Sequence, residues 1–207
     1  MRRSLAPILA LMLACCFAAC AFESDIPDSG PGDGSGGGDS GPEYPPPPYG
    51  TEFGDTAENF TVQRVSCQGD TGRGREWKLA EYLGAKAVLI TVHAGWCTFC
   101  KQQASRMQTE LAPYLGDGLE VMLLLTEDPS GSADVQRLLD YACSYRQQYG
   151  FTFPIGIDPG GAATGQYFGG LPLNMLLDRD MVIRYRLPGE LPDSNILIGN
   201  IEGLLDE

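Results

Sequence analysis

The chain has 207 residues, with 27 acidic and 14 basic side chains and a formal net charge of −13. An excess of negative charge on that scale argues against nucleic acid and against an anionic membrane surface as partners. About 150 residues lie beyond a low-complexity N-terminal stretch, enough for one domain with a full core.

Arg2-Arg3 followed by the apolar run Leu5 to Ala19 reads as a leader over residues 1–19, too short to span a bilayer as a mature helix. It ends in Phe17-Ala18-Ala19-Cys20, which resembles a bacterial lipobox and makes Cys20 the expected lipidation site. Phe17 occupies a place usually held by leucine, and Met12-Leu13-Ala14-Cys15 is a second candidate. An ordinary secretory signal is the alternative. From Ala21 to Gly50, glycine, proline and serine fill 19 of 30 positions, with six acidic residues and no basic one. Such a composition buries too little apolar surface to offset ordering entropy, so residues 20–50 read as a disordered tether behind the lipidated cysteine. Pro45 to Pro48 read as a stiff polyproline stub. Loss of Arg2 and Arg3 with the leader takes the charge from −13 to −15, six charges in the tether and nine on the domain at 51–207.

Within that domain the pattern predicts strands at Phe60–Val65, Ala87–Val92, Leu119–Thr126, Phe153–Ile157, Asn174–Asp178 and Met181–Arg186. Helices are predicted at Thr98–Leu115, Ala133–Tyr149, Ala162–Tyr167 and Asn195–Leu205. Alternating strands and helices indicate a partly parallel sheet covered on both faces. The last two strands, split by Arg179-Asp180, read as an antiparallel hairpin.

The chemistry concentrates in Val92-His93-Ala94-Gly95-Trp96-Cys97-Thr98-Phe99-Cys100-Lys101. A buried strand runs into Trp-Cys-x-x-Cys and then into a helix. Cysteines three apart at a helix start share a face, and the first sits where free N–H groups and the macrodipole favour a thiolate. These are the needs of thiol–disulfide exchange: Cys97 would attack and Cys100 would resolve. A zinc site would need two more ligands. His93 lies inside the strand and Cys67 and Cys143 are isolated in sequence, so no metal is expected.

The stretch from about Glu58 to Glu207 resembles the thioredoxin-like superfamily, and most of all its membrane-tethered TlpA/ResA-like branch of thiol–disulfide oxidoreductases. The WCxxC after a buried strand carries the likeness, as do Gly169-Gly170-Leu171-Pro172-Leu173 before the strand Asn174–Asp178. So do Asn59-Phe60-Thr61-Val62 and Trp77 to Gly84, similar to that branch's lead-in hairpin and short helical turn. The resemblance implies an α/β thioredoxin-like fold, with a mixed central sheet flanked by helices and an N-terminal hairpin extension. It also implies a cis Leu171–Pro172 bond facing the disulfide, with Leu171 presenting backbone to an incoming peptide. Trp96 and Phe99 would form an apolar docking rim, the core being the alternative for Trp96. His93 reads as a neutral, packed strand residue, and Lys101 as solvated. Where thioredoxin has a buried aspartate, six residues before the first cysteine, this chain has Thr91; where several reducing members have a glutamate, it has Gln103. Neither titrates near neutral pH, so replacing Gln103 with glutamate is expected to raise activity there. Cys67 and Cys143 either pair, as leftover cysteines in an oxidising compartment commonly do, or remain two buried thiols.

The function expected is that of a monomeric, lipid-anchored oxidoreductase on the periplasmic side of a bacterial cell envelope, at the outer or inner membrane. It would exchange disulfides with protein thiols and need no dissociable cofactor, because the dithiol is the redox group. A peroxiredoxin-like thiol peroxidase, a copper-delivery module and a non-catalytic binding module on the same fold are the alternatives. The first is disfavoured because a Pro-x-x-x-Thr-x-x-Cys context is absent.

Overall fold

The computed structural model describes residues 43–67 and 74–207. The expected leader, Cys20 and most of the expected tether lie outside the described residues. The tether's last residues lie inside them, and composition misjudged them. Tyr44 packs against the core of the domain and donates its hydroxyl to the Ala57 carbonyl at 2.8 Å. After Thr51 the described residues run through seven strands and three α-helices. These are β1 (Thr61–Arg64), β2 (Arg75–Lys78), β3 (Ala87–His93), α1 (Thr98–Leu111), β4 (Leu119–Leu125), α2 (Val135–Tyr149), β5 (Ile155–Ile157), β6 (Leu173–Asp178), β7 (Ile183–Pro188) and α3 (Ser194–Leu205).

One sheet in the order β2-β1-β5-β4-β3-β6-β7 holds all seven strands. β3, β4 and β5 are mutually parallel, whereas β1 with β2, β1 with β5, β3 with β6 and β6 with β7 are antiparallel. This is the thioredoxin-like mixed sheet, with the expected N-terminal hairpin as β1–β2. The interior strand β3 is buried along its whole length, as a strand covered on both faces must be. Leu89 faces a core with Ala104 and Met107 of α1, Leu138 and Ala142 of α2, and Leu197 and Ile201 of α3. Val88, Ile90 and Val92 face the other side, against Trp77, Leu79, Tyr82 and Tyr167. All three α-helices therefore cover one face, and short 3₁₀ turns with aromatic side chains cover the other. Each fully buried Leu, Ile or Val on β3 stabilises the fold by roughly 1.5–3 kcal/mol relative to exposure.

Several boundaries differ from the sequence expectation for local reasons. α1 stops at Leu111 rather than Leu115 because Pro113 offers no N–H to continue the ladder. α2 begins at Val135, with Asp134 as N-cap accepting from the Arg137 N–H at 3.0 Å. The helix expected at Ala162–Tyr167 is instead two 3₁₀ turns, Pro159–Gly161 and Gly165–Tyr167. There Gly160 and Gly161 adopt positive φ, and the Asp158 carboxylate accepts from the N–H groups of Ala163 and Thr164. β7 starts at Ile183 because Met181 takes φ 61° in the hairpin turn.

Candidate active site

β3 delivers the chain at its C-terminal end to a tight loop. There Gly95 donates its N–H to the Glu127 carbonyl at 2.8 Å. A Cβ on Gly95 would come within 2.6 Å of the Asp128 carbonyl carbon, so only glycine lets this loop lie against the β4–α2 connection. Cys97 follows as N-cap of α1, in extended conformation, and its Sγ accepts from the Cys100 N–H at 3.1 Å. Cys97 and Cys100 are joined in a disulfide with their Cα atoms 5.2 Å apart, so the site is in its oxidised form. Cys97 is 5% exposed and Cys100 is fully buried.

Opposite the pair, β6 runs antiparallel to β3 with Val92 in register with Leu173. The preceding Leu171–Pro172 bond is cis, as the resemblance implied. Leu171, half-buried, packs with Ala94 against both cysteines. Trp96 and Phe99 are about half exposed, at 51% and 50%, which places Trp96 on the rim rather than in the core. Trp96 is not free: its indole N–H donates to the Glu127 carboxylate. Lys101 is exposed, and its backbone N–H donates to the Cys97 carbonyl at 3.2 Å in the first turn of α1.

Behind the cysteines the floor of the site is polar but uncharged. Thr91, His93, Gln103 and Asn174 are all buried. Gln103 and Asn174 bond reciprocally through their amides, each donating to the other. His93 lies between the Thr91 hydroxyl and the Tyr145 hydroxyl, and burial pushes its imidazole down to about 3, with Gln103 opposing. It is therefore the neutral packed residue expected. Burial raises the Tyr145 hydroxyl far above its ordinary range.

Asn174, Tyr145 and Glu127 were not singled out from the sequence. A polar residue in each of two apolar strands was the available signal for the first, and the structure sets Asn174 opposite Thr91. Tyr145 falls on the helical apolar stripe of Leu138 and Ala142, where nothing in the sequence sets it apart from core. Cys67 and Cys143 form a disulfide, their Cα atoms 5.3 Å apart. No group of three or more side chains suited to a metal ion occurs among the described residues.

Comparison with known proteins agrees with this geometry. The model of the AhpC/TSA family matches residues 53–186. The thiol-disulfide oxidoreductase ResA of Bacillus thuringiensis (strain Al Hakam) is 26% identical over 140 residues, 67% of this chain and 71% of the relative; ResA of Bacillus anthracis matches to the same extent. A Chlorobium tepidum protein assigned as a thiol:disulfide interchange protein DsbE superposes with a TM-score of 0.60 at 25% identity, covering 75% of this chain and 99% of that one. A secreted Mycobacterium tuberculosis disulfide oxidoreductase shares the fold at 19% identity, with a TM-score of 0.54 over 70% of this chain and 96% of its own. With a family model covering most of the domain and a closed WCxxC pair on the thioredoxin-like sheet, the chain belongs to the AhpC/TSA family and is a thioredoxin-like thiol–disulfide oxidoreductase.

Proposed function

We propose that the protein works outside the cytoplasm, tethered through a lipid on Cys20, and exchanges disulfides with protein substrates. The observation that carries the site assignment is the Cys97–Cys100 pair at the start of α1, facing cis Leu171–Pro172 between the exposed Trp96 and Phe99. In the reduced form the Cys97 thiolate is stabilised by the Cys100 N–H and the helix dipole. It attacks a substrate disulfide, one substrate sulfur leaves as thiolate, and a mixed disulfide remains on Cys97. Cys100 then attacks Cys97 Sγ, closing the intramolecular disulfide and releasing the second substrate thiolate. The oxidised form runs the same steps backwards. Leu171 and the aromatic rim hold the partner chain.

Three features support an extracytoplasmic setting: the leader pattern, the acidic Gly/Pro-rich segment after Cys20, and the second disulfide, Cys67–Cys143, of a kind that persists in oxidising compartments. Structural neighbours described as secreted point the same way.

A Cys100→Ser variant expressed with its natural leader tests the reading. It should accumulate mixed disulfides with envelope proteins, resolved by added dithiothreitol, because the attacker remains and the resolving thiol is gone. The AhpC/TSA match makes peroxide the competing substrate. Turnover of hydrogen peroxide exceeding that of a disulfide-bonded protein would replace exchange by peroxidase chemistry, and absence of any trapped partner would sink the proposal.

A further inference from the structure

Beneath the Cys97–Cys100 pair runs a line of polar groups that exchange by two thiols does not itself require. Thr91 and His93 project from β3 onto the helical face, Tyr145 comes from α2, and all three are fully buried. Thr91 Oγ1 lies 3.1 Å from His93 Nε2, and His93 Nδ1 lies 3.0 Å from the Tyr145 hydroxyl. That hydroxyl donates to the backbone carbonyl of Cys100 at 3.4 Å.

Counting protons leaves two directions for this chain, one for each tautomer of the neutral ring. The Cys100 carbonyl can only accept, and Tyr145 has one proton to give. Once that proton goes to the carbonyl, the tyrosine oxygen must accept from His93, so the hydrogen of the neutral ring is on Nδ1. Nε2 then carries a lone pair, which accepts from the Thr91 hydroxyl. The other tautomer would draw the Tyr145 proton to Nδ1 and strip the Cys100 carbonyl of this donor. Burial keeps the imidazole neutral and the phenol protonated through the range in which thiols titrate.

Of the neighbouring groups, the Gln103 amide also acts on the His93 ring, where it opposes the effect of burial, and no charged side chain does. Gln103 of α1 and Asn174 of β6 are bonded to each other. From the β4–α2 connection, Glu127 is bonded to Trp96, and Asp128 to Ser130, Ser132 and Arg137. Lys101 is in solvent.

We infer that His93 is a positioning residue for Cys100: as the Nδ1–H tautomer it holds Tyr145 as donor to the Cys100 carbonyl, and this relay favours the Cys100 thiolate in the resolving step. The inference rests on the exchange reading above. In that step the S–H bond of Cys100 breaks and its proton passes to water. The thiolate attacks Cys97 Sγ, the Cys97–Cys100 bond forms, and the bond from Cys97 to the substrate sulfur breaks. The electron pair leaves on the substrate thiolate, which takes a proton from water. The dithiol is oxidised and the substrate disulfide reduced; no electron passes through His93. The relay draws negative charge away from the carbonyl beside the sulfur, and this matters most when the sulfur is anionic.

His93 is the chain's only histidine, so its ring nitrogens can be read without ambiguity in ¹⁵N-labelled protein. Oxidised and reduced protein should both show a neutral Nδ1–H ring from pH 5 to 9. An Nε2–H ring, or titration near pH 6.5, overturns the inference. Kinetics provide the second measurement, with the wild type and each variant first loaded on Cys97 with a small aromatic thiol. Tyr145→Phe should slow release of that thiol by Cys100 about three- to tenfold, the worth of one buried hydrogen bond, without slowing the loading. His93→Asn, whose amide nitrogen sits near the Nδ1 position, should retain most of the release rate; His93→Gln, whose amide reaches the Nε2 position, should not. Equal release from wild type, Tyr145→Phe and His93→Gln removes the role of the relay. A reduced wild type that releases no thiol at all when mixed with the corresponding aromatic disulfide removes the exchange reading, and the relay with it.

Discussion

Replacing Gln103 with Glu separates a buried amide from a solvated one. Gln103 is 1% exposed, donates to Asn174 Oδ1 and accepts from Asn174 Nδ2 at 3.2 Å. Glutamate keeps the acceptor and deletes the donor. Its ionised form would set a carboxylate oxygen against Asn174 Oδ1 with no hydrogen between them; its protonated form would restore the donor. Burial acts in the same direction, so the pKa of the introduced carboxyl should rise from about 4.3 to about 7. A carboxyl whose folded pKa lies above its unfolded value gives most stability below the unfolded pKa and loses it as pH climbs to the folded one. At about 1.36 kcal/mol per unit, the variant should be close to wild type at pH 4 and about 3.5 kcal/mol less stable at pH 8. With a urea slope of about 2–3 kcal/mol/M, the unfolding midpoint should fall by about 1–2 M relative to wild type over that interval. A gap between variant and wild type that is the same at both pH values would refute the reasoning and show that the side chain reaches water. With its pKa at about 7 the introduced carboxyl is half ionised at neutral pH, so the gain in turnover expected from sequence should grow through pH 7 as the base form fills.

Other perturbations test the remaining contacts. Changing Cys67 and Cys143 together to Ser opens a crosslink across 76 residues, worth up to about 4 kcal/mol on chain-entropy grounds, so thermal unfolding should fall by about 10 °C. Unchanged melting would mean that the bridge does not constrain the unfolded chain. Trp96→Ala should lower kcat/KM for a disulfide-bonded protein about tenfold while sparing a small disulfide such as oxidised glutathione, because the rim touches only the larger partner; equal loss on both would assign the indole to the dithiol instead. Cys20→Ala should release the protein from the membrane fraction or leave it unprocessed, as fractionation would show; a processed, membrane-bound variant would point to Cys15 or another anchor.

Much of this protein is determined locally. The apolar run of β3, the tryptophan and the spacing of Cys97 and Cys100 state the reaction class, because a strand leading into a helix N-terminus is encoded by a few consecutive residues and needs no distant partner. The alternation of strands and helices likewise indicates a mixed sheet. Boundaries were legible less well: Pro113, Asp134 and the Gly160-Gly161 pair shift element ends through single backbone effects that apolar periodicity averages over.

Only the tertiary structure decided what lies around the dithiol. Asn174 comes to Gln103 through the β3–β6 register, Tyr145 to His93 through the packing of α2 on the sheet, Glu127 to Trp96 through the connection after β4. Each of these pairs is far apart in sequence, and each partner taken alone reads as ordinary core or surface. The Cys67–Cys143 bridge is of the same kind, since which thiols pair depends on Cα atoms brought within 5.3 Å across 76 residues. Reactivity at Cys97 can be inferred from its own turn of helix because a helix dipole is a local field. What surrounds Cys100 cannot, because a buried group's environment is supplied by whichever strands and helices the fold brings against it.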